Sequence, residues 1–427
     1  MFLRFGVENH GSIRHYAQLS WVSTPQHDEP SWRLPATAAP HGVLPVLAVY
    51  GANASGKSNL VNALLLFRDH IARSFIELAP DAKVPWAPWR GGVDAAEPTR
   101  VDADILVEGT RYHYGFRWDE SGFREEWLFS WPHGRRQILF HRDHSQADPW
   151  YFGPELGGQR AEIRRATRSN ALFLSAAAQY DHQRLRPIWD VLAGVRREAP
   201  VQLHGHPVFP PGAAVLAERN REVVLAALRA ADLGVVDFRS VVNEPQNELV
   251  GKVLSGLLGA DRAESVSRPV SEHREIWLTH ADADGATWEH EPDLESRGTH
   301  ILLTRMNDVL SHLASAQLMV VDEIETSLHP ELCGALVDLF TDASTNPKGA
   351  QLLFTTHNRG LLSRLRRDEV VLLDKASDGG TVVRAASDFK GLRGRDDLRR
   401  AYGEGRLGGV PVLGDFKHAV EGLHVRP

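Results

Sequence analysis

The 427-residue sequence predicts an α/β fold, on the strength of three patterns. After residue 296, short apolar runs alternate with stretches of helical periodicity, which is typical of parallel strands joined by helices. The apolar run VLAVYG at 46–51 leads through a glycine-containing loop into another helical pattern. Between residues 100 and 142, apolar and polar residues alternate in short segments, as in antiparallel strands. We therefore expect a parallel sheet accompanied by an antiparallel β meander.

The first part of the chain supplies a strand, a strand–loop–helix unit and the meander. FLRFGV at 2–7 alternates like a strand, and SNLVNALLLFRDHIARSF at 58–75 has helical periodicity directly after the loop. The meander is broken at 108–109 and again at 121–122, where glycine favours a turn. We expect its sheet to flank whatever binds at the loop.

The middle of the chain predicts a mainly helical lobe inserted into the α/β domain. AAVLAERNREVVLAALRAADLG carries apolar residues at helical spacing and ends at Gly234. No heptad pattern persists there over three or four repeats, so we expect no long coiled-coil arm. The predicted domains are residues 1–179, an insertion over 180–295, and the second part of the α/β domain over 296–427.

Composition and charge predict whether the protein is soluble and where in the cell it is found. The net charge is −7, and no apolar run reaches the roughly 18 to 20 residues that span a bilayer. The N-terminal segment lacks the apolar core of a secretion signal, and Cys333 is the single cysteine. These features predict a soluble, cytoplasmic protein without membrane association. Two arginine-rich stretches, RRATR at 164–168 and RGRDDLRR at 393–400, leave nucleic-acid binding open.

The loop GANASGKS at 51–58 fits the phosphate-binding pattern of glycine, four residues, glycine, lysine and a hydroxyl residue. Backbone N–H groups of such a loop turn toward phosphate oxygens, and the following helix N-terminus adds positive potential. We predict that Lys57 contacts the β- and γ-phosphates of ATP and that Ser58 binds Mg²⁺. The other predicted nucleotide contacts here are Gly51, Asn53, Ala54, Ser55, Gly56 and Asn59.

An acidic pair follows the apolar run LMVV at 318–321. Asp322 at this strand end can support the magnesium shell, and Glu323 can act as the base that deprotonates the attacking water. The alternative is a solvated acidic turn. The upstream phosphate loop favours the catalytic interpretation.

Two further elements have an ordinary structural alternative. His357 follows the apolar run QLLFTT, where an imidazole could contact the γ-phosphate or could simply be a polar strand terminus. Ser296, Gly298 and Thr299 open a predicted helix, either as a second anion site or as an ordinary N-cap.

Two Asp-x-Asp pairs raise the question of a separate metal site. Asp102 and Asp104 lie on a predicted strand, and Asp282 and Asp284 lie in a polar, glycine-containing turn. We interpret neither pair as a metal site.

These motifs, in this order, resemble the ABC-type ATPases. The similarity is greatest to a bacterial group of antiphage ATP-binding proteins, such as AriA of PARIS, PtuA of Septu and the ATPase of abortive-infection L systems. The matching segments are ENHGSI at 8–13 and residues 50–59, 125–127, 170–179, 295–299, 322–330, 355–357 and 405–411. ENHGSI departs from the usual pattern at His10 and Gly11, and the 295–299 motif departs at Arg297.

The resemblance implies a P-loop ABC-type ATPase with specific residue roles. Asp322 would support the metal, Glu323 would be the catalytic base and His357 the switch histidine. Residues 296–299 would be the signature motif, which in such dimers covers the γ-phosphate bound by the other subunit. Gln179 would link magnesium to the helical lobe.

The resemblance also implies a biological role. The protein would be the ATP-hydrolysing sensor and motor of an antiphage system, a homodimer or higher oligomer that controls a separate nuclease or toxin. Only 70 residues follow His357, which is too short for the nuclease domain of related overcoming-lysogenization-defect proteins. The alternatives are a DNA-repair or DNA-maintenance ATPase acting on DNA ends and, less favoured, a transporter motor, from whose signature ESRGT departs.

Overall fold

The computed structural model describes residues 1–25, 33–36, 39–91, 97–197, 217–243, 273–291, 294–390 and 394–409. The chain divides into two compact units. The first comprises Met1–Arg197, Ala316–Glu325 and Val337–Pro427, and the second comprises Glu198–Ser315 and Thr326–Leu336. Among the described residues, no helix has both the length and the apolarity needed to cross a membrane.

The strands are numbered along the chain. They are β1 (Phe2–Glu8), β2 (Ala17–Ser20), β3 (Leu34–Ala36), β4 (Ala39–Val43), β5 (Val46–Gly51), β6 (Thr99–Val107), β7 (Thr110–Asp119), β8 (Gly122–Trp131), β9 (Gln137–Asp143), β10 (Trp150–Phe152), β11 (Arg196–Arg197), β12 (Val235–Asn243), β13 (His273–Ala281), β14 (Thr287–His290), β15 (Leu318–Val321), β16 (Gln351–Thr356), β17 (Val370–Lys375) and β18 (Thr381–Ala385).

The helices are numbered in the same way. They are α1 (Lys57–Arg73), α2 (Arg160–Ala166), α3 (Phe173–Gln179), α4 (Arg186–Ala193), α5 (Arg221–Ala230), α6 (Arg297–Ser315), α7 (Pro330–Thr341) and α8 (Gly394–Gly403). Short 3₁₀ helices cover Arg359–Ser363, Arg367–Glu369 and Ala386–Asp388.

The first unit contains the predicted parallel sheet, in the order β11-β15-β16-β5-β17-β18. Within this sheet, β11, β15, β16, β5 and β17 are parallel to one another. Strand β18 pairs antiparallel with β17 at the edge. Every residue of β5 and β16 is buried. Burial on both faces explains why these strands lack the regular alternation of apolar and polar residues.

The predicted antiparallel meander is also present in the first unit. Its seven strands lie in the order β10-β9-β8-β7-β6-β1-β2, so the chain runs back and forth from β6 to β10. Helix α1 packs against this sheet through Phe67, whose ring centroid lies 5.6 Å from those of Phe5 in β1 and Phe116 in β7. This packing fixes the helix that begins at the glycine-containing loop.

Glu126 connects two of the segments that carry the family resemblance. Its carboxylate is fully buried in β8 and accepts backbone N–H groups from Phe173 and Leu174, at 2.7 and 3.0 Å. The Tyr114 hydroxyl donates a third bond at 2.9 Å. Because the first N–H groups of a helix have no partner within it, Glu126 satisfies the start of α3.

The second unit differs in part from its predicted, mainly helical character. Helix α5 ends shortly before Gly234, as expected, but the chain then enters β12 of a three-stranded antiparallel sheet in the order β12-β13-β14. The β-branched and aromatic residues of VVDFRSVVN favour a strand. The parts of the predicted helical lobe over 198–216 and 244–272 lie outside the described residues.

The unit boundaries also differ from the predicted position at residue 180. Helix α4 and strand β11 belong to the first unit. Ile188 and Leu192 of α4 join its apolar core, and the Trp189 indole N–H donates to the backbone carbonyl of Ile71 at 2.9 Å. At the other end, α6, which begins at the predicted boundary near residue 296, belongs to the second unit.

A buried histidine in α1 makes the stability of the first unit dependent on pH. His70 is enclosed by the rings of Phe116, Trp118 and Phe123, and burial lowers its pKa to about 3. The unfolded chain takes up this proton below about pH 6.5. His70 therefore contributes stability that is fully present above pH 6.5 and is lost as the pH falls toward 3.

We expect His70→Leu to reduce this acid sensitivity. Between pH 7.5 and 5.0, the wild-type chain should lose about 2 kcal/mol more unfolding free energy than the variant, at about 1.4 kcal/mol per pH unit below 6.5. Urea unfolding at the two pH values measures the difference. His133→Leu, in an exposed turn, is the matched control. Equal acid sensitivity in wild type and His70→Leu would contradict the prediction.

Candidate functional site

The loop between β5 and α1 carries the glycines and the lysine of the phosphate-binding pattern. Ala54 and Gly56 have positive φ angles of 61° and 105°, so the chain turns sharply before α1 begins. A Cβ atom on Gly56 would lie 2.1 Å from the Thr381 hydroxyl oxygen, and one on Gly51 would lie 2.8 Å from the Leu373 carbonyl oxygen. Both glycines are therefore required by close approach of neighbouring strands.

Lys57 is held across this loop. Its ammonium group donates to the backbone carbonyl oxygens of Gly51 at 2.8 Å and Ala52 at 3.1 Å, and the residue is buried. Burial lowers the pKa of Lys57, while the carboxylates of Glu323, Asp322 and Glu325 act in the opposite direction. The ammonium is thus within the electrostatic reach of three acidic side chains.

Hydroxyl groups from distant segments brace the loop. Ser12 Oγ accepts a hydrogen bond from the Asn59 amide at 2.7 Å and lies 2.7 Å from Thr381 Oγ1. Thr381 in turn donates to the Ser55 carbonyl oxygen at 2.9 Å. Sequence reasoning did not identify Ser12 or Thr381, although Ser12 lies within ENHGSI.

The end of β15 is tied to the end of β16 through Thr355. The Thr355 hydroxyl donates to Asp322 Oδ1 at 2.6 Å and accepts the backbone N–H of Glu323 at 2.7 Å. Glu323 has a φ of 56°, and its side chain is exposed. The backbone strain of this non-glycine residue is stabilised by the bond to Thr355.

A third carboxylate, Glu325, was missed by sequence reasoning. It accepts the Thr356 hydroxyl at 2.7 Å and the backbone N–H of His357 at 2.6 Å. It therefore fixes the chain on both sides of the junction between β16 and His357. The signal in the sequence was the second acidic position in DEIE at 322–325.

The sheet order brings these segments together. Strand β16 lies between β5 and β15, and all three are parallel. Their carboxyl ends meet at one edge, which is where α/β sheets bind ligands. The loop at 51–58, the acidic segment 322–325 and His357 each follow one of these three strands.

The described part of the 405–411 motif packs against the same loop. A Cβ atom on Gly409 would lie 3.4 Å from the Gly51 Cα, and the Tyr402 hydroxyl donates to the Gly409 carbonyl oxygen at 3.1 Å. Tyr402 also meets Tyr50 of β5 edge to face, with ring centroids 5.3 Å apart. Residues 405–409 therefore support the phosphate loop by packing against it. Residues 410–411 lie outside the described part of the chain.

The remaining predicted site residues of the first unit vary in exposure. Asn53, Ala54, Ser58 and His357 are exposed, whereas Ser55 is buried. Gln179 is the last residue of α3, and its side chain is exposed. Its link to magnesium stays a prediction.

Ser296, Gly298 and Thr299 lie in the second unit, at the start of α6. Ser296 Oγ accepts the backbone N–H of Thr299 at 3.1 Å, which is the N-cap geometry that the sequence left open. A Cβ atom on Gly298 would lie 3.1 Å from the Ser327 carbonyl oxygen. A role of these residues toward a second nucleotide stays a prediction.

The two Asp-x-Asp pairs have structural partners. Asp104 is bonded to His113 and Arg111, at 2.7 and 2.6 Å, and Asp102 accepts the Tyr16 hydroxyl at 2.9 Å. Asp282 Oδ1 accepts the backbone N–H groups of Asp284 and Ala286, and so forms the turn before β14.

The donor set fits ATP with Mg²⁺. The N-terminus of α1, whose N-cap is a glycine with no side-chain bond, presents backbone N–H groups at the loop. An ammonium, a hydroxyl and carboxylates lie at the same sheet edge, which are the ligand types that a nucleotide triphosphate and a hard divalent cation prefer. Lys57, Ser58 and Asp322 are the residues that would hold them.

Residues 46–363 match the family model described as "AAA domain, putative AbiEii toxin, Type IV TA system". The match covers more than half of the chain and contains the loop, the acidic segment and His357. The chain belongs to this family. It carries an AAA-type ATPase domain. The predicted α/β fold with a parallel sheet and an antiparallel meander is confirmed, and the finer assignment to the ABC-type ATPases stays a prediction.

This AAA-domain chain is also similar to a solved structure. The structure titled "Crystal structure of the SmcHead bound to the C-winged helix domain of ScpA" is 12% identical, with a TM-score of 0.38. The alignment covers 90% of this chain and 97% of that chain. No curated protein matches the chain.

Proposed function

We propose that the chain binds ATP with Mg²⁺ and hydrolyses it to ADP and phosphate. The observation that carries the proposal is the position of the phosphate loop, the acidic segment 322–325 and His357 at the carboxyl ends of the three adjacent parallel strands β5, β15 and β16. Lys57 would contact the β- and γ-phosphates, while Ser58 and Asp322 would hold the magnesium shell. The bound ion would neutralise charge that develops on the phosphate oxygens.

The hydrolytic step is assigned to Glu323 and His357. Glu323 accepts a proton from the attacking water molecule. The oxygen of that water bonds to the γ-phosphorus of ATP, and the bond between the γ-phosphorus and the β–γ bridging oxygen breaks. The bond between the Glu323 N–H and Thr355 supports a fixed position for this carboxylate. Glu325 holds the backbone of His357, whose imidazole would contact the γ-phosphate.

We further propose that ATP joins two copies of the chain, each supplying Ser296, Gly298 and Thr299 to the nucleotide held by the other. The N-terminus of α6, capped by Ser296, offers backbone N–H groups to an anion. Dimers or higher oligomers would form through these composite sites.

Ser296→Arg should leave ATP binding by the isolated chain unchanged and abolish hydrolysis, because the added side chain blocks approach of the second subunit. A nucleotide-binding titration and a steady-state phosphate-release assay measure the two effects. Mixing Ser296→Arg with Lys57→Ala should restore at most one working site per mixed dimer. Turnover per chain that is unchanged on dilution to a monomer would contradict the composite site.

The biological role we propose is control of a separate toxic effector in bacterial antiphage defence, with the ATPase as sensor and motor. The matched family's description names a toxin and a type IV toxin–antitoxin system, which supports such a setting. ATP can drive this control only by favouring one of two conformations that differ in affinity for the effector. The partner would be a nuclease or toxin encoded beside the gene.

Purified protein should cut neither DNA nor RNA and should bind the neighbouring gene product in one nucleotide state. Co-purification of the two proteins with ATP, with ADP or without nucleotide measures how their binding depends on the nucleotide. Lys57→Ala should abolish this dependence. Metal-dependent nuclease activity that survives Lys57→Ala through stringent purification would overturn the proposal. Strong stimulation of ATP turnover by DNA ends would favour DNA maintenance instead.

A further inference from the structure

The second unit contains a cluster of three side chains of types that can bind a metal ion. His280 is the next-to-last residue of β13, His290 ends β14, and Glu295 lies five residues further on. One ligand atom from each lies within 4.8 Å of the others. His280 Nε2 is 2.6 Å and His290 Nδ1 is 3.2 Å from Glu295 Oε1.

We propose that His280, His290 and Glu295 bind a divalent transition-metal ion, with Zn²⁺ the best match. Two imidazoles and one carboxylate are a ligand set that zinc accepts, with a fourth position left for water. Ligand atoms of tetrahedral zinc are roughly 3.3 to 3.5 Å apart, given bonds of about 2.0 to 2.2 Å. To reach this geometry, His280 and Glu295 would move apart by about 1 Å, and the two imidazole nitrogens, which lie within 4.8 Å of each other, would take up the same spacing.

The burial of the carboxylate favours a cation over hydrogen bonds alone. The Glu295 side chain is 4% exposed, and His280 is 13% exposed. A divalent ion would supply positive charge that compensates this buried carboxylate. His290, at 36% exposure, leaves a route for the ion from solvent.

Trp288 offers a reporter for this site. Its indole N–H donates to His290 Nε2 at 3.0 Å, which places the imidazole proton on Nδ1, facing Glu295. Coordination through Nδ1 moves this proton to Nε2 and breaks the bond to Trp288. The Trp288 ring also lies nearly parallel to the His280 ring, so its fluorescence should change when metal binds.

The site has a mechanical consequence for the start of α6. Glu295 directly precedes Ser296, which caps the helix through the Thr299 N–H. A metal bond at Glu295 would anchor the segment that enters α6 to β13 and β14. This consequence does not depend on ATP hydrolysis.

The test is metal retention by the full chain after chelation and reloading with Zn²⁺ or Co²⁺. Wild type should retain about one more metal ion per chain than the double variant His280→Ala/His290→Ala. Co²⁺ should give visible absorption bands in wild type alone. Glu295→Gln should weaken Co²⁺ binding by at least about tenfold while keeping both imidazoles.

Three control variants distinguish this metal site from other possible metal-binding groups of the chain. His133→Ala removes an exposed imidazole in the turn after β8, and Lys57→Ala disables the phosphate loop, so both should retain the ion. Trp288→Phe should retain the ion and lose the metal-dependent fluorescence change. Equal retention by wild type and the double variant, with both folded by circular dichroism, would overturn the proposal, as would unaltered Co²⁺ affinity in Glu295→Gln.

Discussion

Lys57→Ala is expected to abolish ATP binding, with an affinity loss of at least about 100-fold. The carboxylates of Glu323, Asp322 and Glu325 act electrostatically on its ammonium group. Alanine would remove the charge that binds the β- and γ-phosphates and would leave these carboxylates to repel the triphosphate. Titration with a fluorescent ATP analogue in the presence of Mg²⁺ measures the loss.

A matched lysine substitution controls for a general effect of charge. Lys83 is exposed and pairs with Glu120 on the surface, so Lys83→Ala should bind ATP like wild type. Circular dichroism would show that both variants remain folded. An ATP affinity of Lys57→Ala within a few-fold of wild type would refute the phosphate-loop assignment.

Much of the fold could be predicted because the patterns that determine it are local. Strands β5, β15, β16 and β17 appear as apolar runs because the parallel sheet buries both faces, and α1 shows its buried stripe directly. The order of strand, loop and helix also predicted the phosphate loop from one short segment. These features require no knowledge of distant contacts.

The hydrogen bonds that support the candidate site could not be predicted, because they join residues that are far apart in sequence. Ser12 and Thr381 meet beside the loop across 369 positions, and nothing around either residue indicates the other. Glu325 was visible as a carboxylate, but its bonds to Thr356 and the His357 N–H exist only once β15 and β16 are neighbours. The strand β12 was not predicted, because the whole insertion was interpreted as mainly helical although its helical pattern ends at Gly234.

The resemblance to ABC-type ATPases identifies motifs but gives no physical reason for them. The structure gives a reason for two of these motifs. Glu126, within 125–127, caps α3, which lies within 170–179. The described part of 405–411 packs against Gly51 at the start of the phosphate loop. Glu126 therefore supports the start of α3 through hydrogen bonds, and Gly409 supports the phosphate loop through packing.

Glu323→Gln is expected to stop ATP turnover while ATP binding stays within a few-fold of wild type. The amide has the shape of the carboxylate but cannot accept a proton, so loss of the base should lower the rate by about 10² to 10⁴-fold. The bond from the Glu323 N–H to Thr355 is a backbone bond and survives the substitution. Phosphate release and equilibrium ATP binding measure the two quantities separately.

Glu325→Gln is the matched comparison that decides which carboxylate is the base. Glu325 accepts from two donors, Thr356 and the His357 N–H, so an amide can keep only one of these bonds without turning its NH₂ group toward a donor. Its effect on turnover should therefore be smaller than that of Glu323→Gln and should come from a displaced His357. If Glu325→Gln instead stopped turnover and Glu323→Gln retained it, the base would be Glu325. The exposed Glu323, fixed through its backbone, would then serve only to set the turn at the end of β15.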